Sequence, residues 1–257
     1  MSNPGGSPST AITSGAARRV LHQAGWETRL LLRNGEQLLL TIAIPVGILL
    51  ALAWTDLVPS VAGPDRLSTA LATVLSVPVI SSGFTSLAIA TAFERRSGAL
   101  RLLGTTPLRR SELLGGKLLA TGAVMLVAAA VTTGVAVLLG WRPTTGAAWA
   151  VVVLVLGTAC FAAWGIALAG LLRAEAVLAV ANGLFLVLIM FGGVIVPVSS
   201  LPAPVAMFAR TLPSDALAEA MRVAIVGGRP PSLGMVAVLV GWGAVGAIIA
   251  GRTFRWS

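Results

Sequence analysis

The stretch FERRSGALRLLGTTPLRRSELLGGKLLA, residues 93–120, carries eight charged side chains in a chain of 257 residues of which only 11% are charged. Apolar runs flank it on both sides, residues 67–92 before it and 117–139 after it. Each run is long enough as a helix to cross the roughly 30 Å of a bilayer's hydrocarbon, which takes about 20 residues at 1.5 Å each. The charged stretch therefore reads as a loop at a membrane surface between two spans. Composition agrees: hydrophobic residues make up 56% and the mean hydropathy is +0.93, whereas a soluble domain has about 45–50% apolar and 25% charged residues.

Working outward, six segments have the length and polarity of spans: 37–57, 67–92, 117–139, 147–172, 176–196 and 233–251. Apart from Asp56 and Lys117, near two ends, they contain no formal charge. Lipid offers unpaired amides no partner, so helices are expected throughout. The predicted fold class is all-α: a polytopic membrane protein with six transmembrane helices, an amphipathic N-terminal interfacial helix, and short external helices between the fifth and sixth spans. With the N-terminus inside, 13 Lys and Arg fall on the cytoplasmic side and 5 on the outer side. The positive-inside rule then puts both termini in the cytoplasm. Trp54, Trp141 and Trp149 fall at the outer interface in this arrangement, while Trp164 and Trp242 lie deeper as packing residues.

The net charge of +9 and the pI near 11.7 raise the question of nucleic acid, but basic residues that interrupt hydrocarbon-length runs fit lipid headgroups and a cytoplasmic protein partner better. No nucleic-acid partner is expected. Seventeen arginines against one lysine point to a GC-rich bacterial coding sequence, hence a bacterial cytoplasmic membrane. Cys160 has no second cysteine to pair with and reads as a small core residue.

Residues 1–17 are small and polar, without the basic and apolar regions of a signal peptide, and read as a disordered tail before a permease-like domain over 18–257. Within that domain, 18–35 projects as an amphipathic helix. Val20, Leu21, Ala24, Thr28, Leu31 and Leu32 share one arc, and Arg18, Arg19, His22, Arg29 and Arg33 the other. Trp26 and Leu30 fall off the apolar arc and are left for a protein neighbour. The external segment, 197–232, is too rich in proline for one helix, but Ser214 is placed to cap a helix running to about residue 226, with Gly227 at its end. That helix has an apolar stripe of Leu217, Met221 and Ala224, and is expected at the outer surface or dipping into it.

Inside the opening stretch, 93–104 reads as a helix, with Thr106 and Pro107 as the cap and first residue of the next. Leu100, Leu103 and Leu108 form an apolar ridge among arginines. That is how a protein-docking knob looks, and also how an ordinary inner-surface loop looks. The pattern Glu94, Arg95, Gly98, Leu100, Leu103, Thr106, Pro107 and Leu108 resembles the cytoplasmic loop of the type 2 permeases of ATP-binding-cassette exporters, a family that includes drug-resistance and polysaccharide-export permeases. The resemblance extends to the N-terminal helix, the six spans, and Leu201-Pro202, Pro213 and the run Glu219 to Arg222 in the external segment. It implies that 93–116 is a coupling segment seated on a cytoplasmic ATPase subunit, that a second permease subunit completes the transporter, and that ATP and magnesium bind to the ATPase and no cofactor to this chain.

The chain has no nucleotide motif of its own. Gly115-Gly116-Lys117 is followed by Leu118 and has Ser111 where a phosphate-binding loop needs glycine, so it reads as close helix packing beside an interfacial lysine. Two other classes were weighed. A secondary transporter places ionisable groups at mid-membrane, and the strongest polar residue within a span is the amide Asn182. A membrane enzyme needs paired carboxylates, a metal cluster or an activated nucleophile, and the acids here are scattered at span ends with one histidine, His22. No catalytic residue and no metal ligand are assigned. Asn182 and the Gly192, Gly193 and Pro197 group are candidates for the path or its gate, or for helix packing. Ser81, Ser82, Thr85 and Ser86 read as packing residues, with a softened path as the other possibility. An interior without fixed charge favours amphipathic or lipid-like cargo over ions.

Overall fold

The structure is a computed structural model and describes residues 9–33, 35, 39–54, 66–98 and 110–253. Among these every regular element is helical. Helix α1, Ser9–Arg33, precedes a wide π-helical turn at Leu39–Ala43 that leads into α2, Ile44–Trp54. Next comes α3, Arg66–Ile80, joined through a second wide turn at Ser81–Ser86 to α4, Leu87–Arg96. Helices α5, Arg110–Leu138, α6, Ala147–Leu171, and α7, Ala174–Phe191, follow. A 3₁₀ turn at Val198–Ser200 leads to the short α8, Ala203–Ala209, then α9, Pro213–Ile225, and finally α10, Leu233–Thr253.

Five helical runs are long and apolar enough to cross a membrane: Arg66–Arg96, Ser111–Leu138, Ala147–Leu171, Ala174–Phe191 and Leu233–Thr253. The first of the six expected spans is a shorter apolar helix, Thr41–Trp54, among the described residues. The second is continuous through Pro78, whose missing N–H breaks the hydrogen-bond ladder, and the wide turn at Ser81–Ser86 resumes the ladder with the extra residue a π turn accommodates.

Four boundaries differ from expectation. Helix α1 begins at Ser9, upstream of the boundary placed at residue 18: the run 9–17 contains no proline, and its three alanines favour the helix while Gly15 opposes it. The helix expected over 93–104 ends at Arg96. Gly98 follows with φ +78°, a left-handed conformation that glycine adopts freely and that terminates the helix. The fifth span stops at Phe191, short of residue 196, because Gly193 turns the chain at φ +76°. The cap of α9 is Leu212, with Pro213 in the first turn, so Ser214 is helical and buried; at the other end Gly228, not Gly227, takes positive φ.

Small residues let the helices approach closely. A Cβ on Gly165 of α6 would lie 2.7 Å from the Phe84 carbonyl oxygen in the second wide turn, and one on Gly246 of α10 would lie 2.9 Å from the Trp164 ring. Segment 197–232 also enters the bundle. Leu217 of α9 packs onto Gly157, where a Cβ would meet its Cδ1 at 2.6 Å, about 15 Å along α6 from that helix's start at Ala147. Leu217, Met221, Ala224 and Ile225 are all fully buried, so α9 dips into the membrane-spanning core and does not lie on its surface.

Such a dip carries non-helical backbone to membrane depth, where its carbonyls need partners. The turn between α8 and α9 has one in Trp242, whose Nε1 donates to the Thr211 carbonyl at 2.9 Å. Trp164 Nε1 donates in turn to the Trp242 carbonyl at 2.9 Å, with ring centroids 5.6 Å apart. The two deep tryptophans are packing residues, as expected, and they also supply hydrogen bonds. Trp54 and Trp149 are exposed at the end of the bundle that holds the 139–146 loop, whereas Trp141 is 6% exposed and belongs to the core. Its backbone N–H donates to the Ala136 carbonyl at 2.9 Å, which folds the chain back at the end of α5.

Candidate functional site

The base of the charged stretch is built from the end of α4, the start of α5, and α1. Lys117, 3% exposed, lies between two carboxylates: its Nζ is 2.8 Å from Glu94 Oε2 and 3.0 Å from Glu94 Oε1, and 3.1 Å from Glu27 Oε1. Glu27 is also held by Gln23, whose Nε2 donates to it at 3.1 Å across one helical turn. One turn earlier on α1, Arg19 forms a bidentate pair with Glu112 at 2.6 to 3.2 Å. The hydrogen bonds that Arg19 donates to Glu112, with that carboxylate's charge, hold the Arg19 guanidinium above its ordinary pKa, against a smaller opposing effect of desolvation.

These pairs fit because α1 runs beside the first turns of α5. A Cβ on Gly116 would sit 2.7 Å from Gln23 Cγ and one on Gly115 3.5 Å from Val20, so the glycine pair does provide close helix packing. Gln23 and Ala24 are buried there. Leu21, on the arc expected to lie in the inner leaflet, is 65% exposed, and the face of α1 that packs on α5 bears Gln23, Ala24 and Glu27. Trp26 and Leu30 are exposed.

Arg95 ties the same base to a third helix. Its guanidinium donates to the carbonyls of Gly170, at 3.2 Å, and Leu172, at the C-terminal end of α6. There a cation both satisfies open carbonyls and faces the negative end of the helix dipole. Arg96 pairs with Glu175 of α7 on the exposed surface. Of the eight residues assigned to docking, Glu94, Arg95 and Gly98 are thus placed. The first two hold neighbouring helices and the third ends α4. Leu100, Leu103, Thr106, Pro107 and Leu108 lie outside the described residues.

Between α2, α3, the second wide turn and α7 lies a cavity of about 500 Å³. Ser81, Ser82, Thr85, Ser86 and Asn182 bring polar groups to its otherwise apolar wall. Thr41 and Ser82, one in each wide turn, share a buried hydrogen bond at 3.1 Å. The Asn182 amide donates to the Leu178 carbonyl of its own helix at 2.8 Å, so it bonds no neighbouring helix through that group. Gly192 and Gly193 lie apart from this wall, beneath α9: a Cβ on Gly192 would fall 2.0 Å from Ser214 Oγ, and one on Gly193 2.3 Å from Asp215 Oδ1. Arg222 of α9 donates to the Gly193 carbonyl and pairs with Glu219 at 3.1 Å. Pro197 precedes the 3₁₀ turn and accepts from the Ser200 backbone and hydroxyl.

A family model described as ABC-2 family transporter protein matches residues 63–252. The chain belongs to the ABC-2 transporter family. No curated protein matches it. As an ABC-2 permease it is the membrane component of an ABC transporter, works with an ABC ATPase subunit, and belongs to a family whose permeases lack their own nucleotide-binding domain. Among the described residues no group of histidine, cysteine and acidic side chains could hold a metal ion.

Sequence reasoning missed the ion network of the permease. Three of the nine acids, Glu27, Glu94 and Glu112, lie in or beside segments that the sequence places at the same basic membrane surface. So small a stock of carboxylates, gathered where the basic residues concentrate, was the available signal.

Proposed function

We propose that this permease is the six-span subunit of a bacterial exporter, with both termini in the cytoplasm, and that segment 93–116 seats on the cytoplasmic ATPase. A second permease subunit, identical or related, completes the transporter, because two ATPases acting as a pair need two docking segments. ATP and magnesium act on the ATPase. The cavity beside Asn182 and the hydroxyls of the second wide turn serves amphipathic or lipid-like cargo moving out of the cytoplasm or inner leaflet. An apolar wall with a few neutral hydrogen-bonding groups suits such cargo better than an ion. Gly192 and Gly193 anchor the dipping segment, whose displacement gates the outer end.

One observation carries this reading. The segment's root is fastened to α1 and α5 through Glu94 and Lys117 and to α6 through Arg95. A push on the segment therefore moves several helices together, which is what transmission from an ATPase requires. Leu103→Asp is the test, since a carboxylate buried in a protein contact costs several kcal/mol. ATPase co-purification and export should both collapse while the protein still inserts in the membrane. Retention of both in the same membranes would sink the coupling role.

A further inference from the structure

A small cavity of about 60 Å³ lies at the ionic base, between α1, α4, α5 and the second wide turn. Glu27, Glu94, Lys117 and Thr121 line it, and so do Ser82 and Ser86 of the turn. The same two serines line the larger cavity beside Asn182, so the two spaces adjoin at the wide turn, one polar and one apolar. Ser86 lies about 12 Å along α4 from Glu94. The larger cavity continues away from the base as far as Leu52, near the C-terminal end of α2.

The smaller space has hydrogen-bond acceptors to spare. Glu27 Oε1 accepts from Gln23 and faces Lys117 Nζ at 3.1 Å, while Oε2 takes no hydrogen bond among the described residues. Thr121 is 6% exposed, and its hydroxyl and that of Ser86 make no hydrogen bond among the described residues. None of these three oxygens is among the fully buried atoms without a partner, so each keeps accessible surface on a residue that lines the cavity. Charge points the same way. Two carboxylates around one ammonium leave one negative charge over, and the neighbouring cations are committed elsewhere, Arg19 to Glu112, Arg95 to the α6 carbonyls and Arg96 to Glu175. An uncompensated charge at a largely enclosed site is costly, and a further cation would offset it.

We propose that the small cavity binds the primary ammonium group of an amphipathic cargo whose apolar part occupies the cavity beside Asn182. This rests on the cargo role proposed for the larger cavity. An ammonium has three N–H donors and no acceptor, which matches the Glu27 carboxylate and the Thr121 and Ser86 hydroxyls. The space is less than half of the roughly 150 Å³ that takes up benzene in an engineered protein cavity, so an ammonium fits and a sugar or aromatic ring does not. A phosphate headgroup is excluded by the two carboxylates as well as by its size.

The test is photolabelling of the full-length protein in 1-palmitoyl-2-oleoyl-phosphatidylcholine nanodiscs, with labelled peptides quantified by mass spectrometry. Three probes share a dodecyl chain bearing a diazirine and end in a primary amine, an alcohol or a trimethylammonium group. The amine should label the walls of the larger cavity, at Val77 and Phe185, about tenfold or more above the alcohol, as one hydrogen bond to a charged group implies. The trimethylammonium, charged but without N–H, should label no better than the alcohol. Glu27→Gln keeps the Lys117–Glu94 pair and removes the excess charge, and should bring the amine-to-alcohol ratio to about one. Thr121→Val keeps the shape and removes an acceptor, and should lower the ratio about two- to tenfold. A ratio near one in the wild type would overturn the ammonium site and leave the cargo cavity standing. A wild-type ratio that survives Glu27→Gln or Thr121→Val would place the ammonium elsewhere and overturn the site. Trimethylammonium labelling equal to that of the amine would overturn recognition through N–H donors. Labelling of the larger cavity by none of the probes would overturn the site together with the cargo reading.

Discussion

The two ends of this bundle solve the same problem by opposite means. At the end that bears the basic stretch, helices are joined by charge: Lys117 between Glu27 and Glu94, Arg19 on Glu112, Arg95 on the α6 carbonyls. Where α9 dips in, they are joined by shape: Leu217 on Gly157, Ser214 on Gly192, with the turn carbonyl of Thr211 satisfied by Trp242. Ion pairs impose few demands on side-chain fit but are costly to leave half made. Close packing of small residues needs no charge, yet tolerates little added volume. The first arrangement suits the coupling role proposed for that end. The second suits a segment that must stay dry.

The largest effect expected from breaking this contrast is at Lys117. Lys117→Met leaves Glu27 and Glu94, 14% and 33% exposed, facing one another without their cation; removing one partner of a fully buried ion pair typically costs about 3–5 kcal/mol, and solvent at Glu94 reduces that figure. Thermal unfolding in detergent should show a marked loss of stability. Combining it with Glu27→Gln and Glu94→Gln should recover most of the loss, since a neutral cluster no longer holds unpaired charge. Equal stability of Lys117→Met and wild type would mean that the network is ornamental.

Trp242→Phe probes the opposite end. It removes the partner of the Thr211 carbonyl while keeping an aromatic ring beside Trp164, and measured hydrogen bonds between membrane helices average about 0.6 kcal/mol and reach about 1.7. A modest loss of stability in that range is expected, with increased reactivity of a cysteine placed at Ser214 toward a thiol reagent as α9 loosens. Unaltered reactivity would show that packing on Gly157 alone holds α9 in place.

What was readable in the sequence follows the same division. Hydrocarbon-length runs reported the spans because length and polarity are local properties, and the stripe of Leu217, Met221 and Ala224 reported a buried face because helical periodicity is local too. Gly98 was not read as the end of α4, since glycine is permitted a positive φ without requiring it. Trp141 was placed at the interface by its position beyond a span, and only the fold brings its ring inward. The pairing of Glu27, Glu94 and Lys117 was illegible for a different reason. It joins residues from three elements, and neither spacing nor composition says which carboxylate meets which cation.

The smallest effect is expected from Arg19→Gln, and it sharpens the contrast by its dependence on salt. Arg19 is 39% exposed although its partner Glu112 is nearly buried, so solvent and ions reach one side of this pair. Exposed pairs contribute little and are screened, the Debye length falling from about 30 Å at 0.01 M salt to about 3 Å at 1 M. The variant should therefore lose a small amount of stability in dilute buffer, and the difference from wild type should shrink as salt is raised. Lys117 is 3% exposed and its partners Glu27 and Glu94 are 14% and 33% exposed, so its deficit should shrink less with salt than that of Arg19→Gln, and the uncharged Trp242 contact should not respond at all. Unfolding curves of the three variants across a salt series separate these cases. Equal salt dependence of Arg19→Gln and Lys117→Met would mean that both pairs are open to water, and the end bearing the basic stretch would then be a screened surface cluster, too loose to transmit a push into α5 and α6.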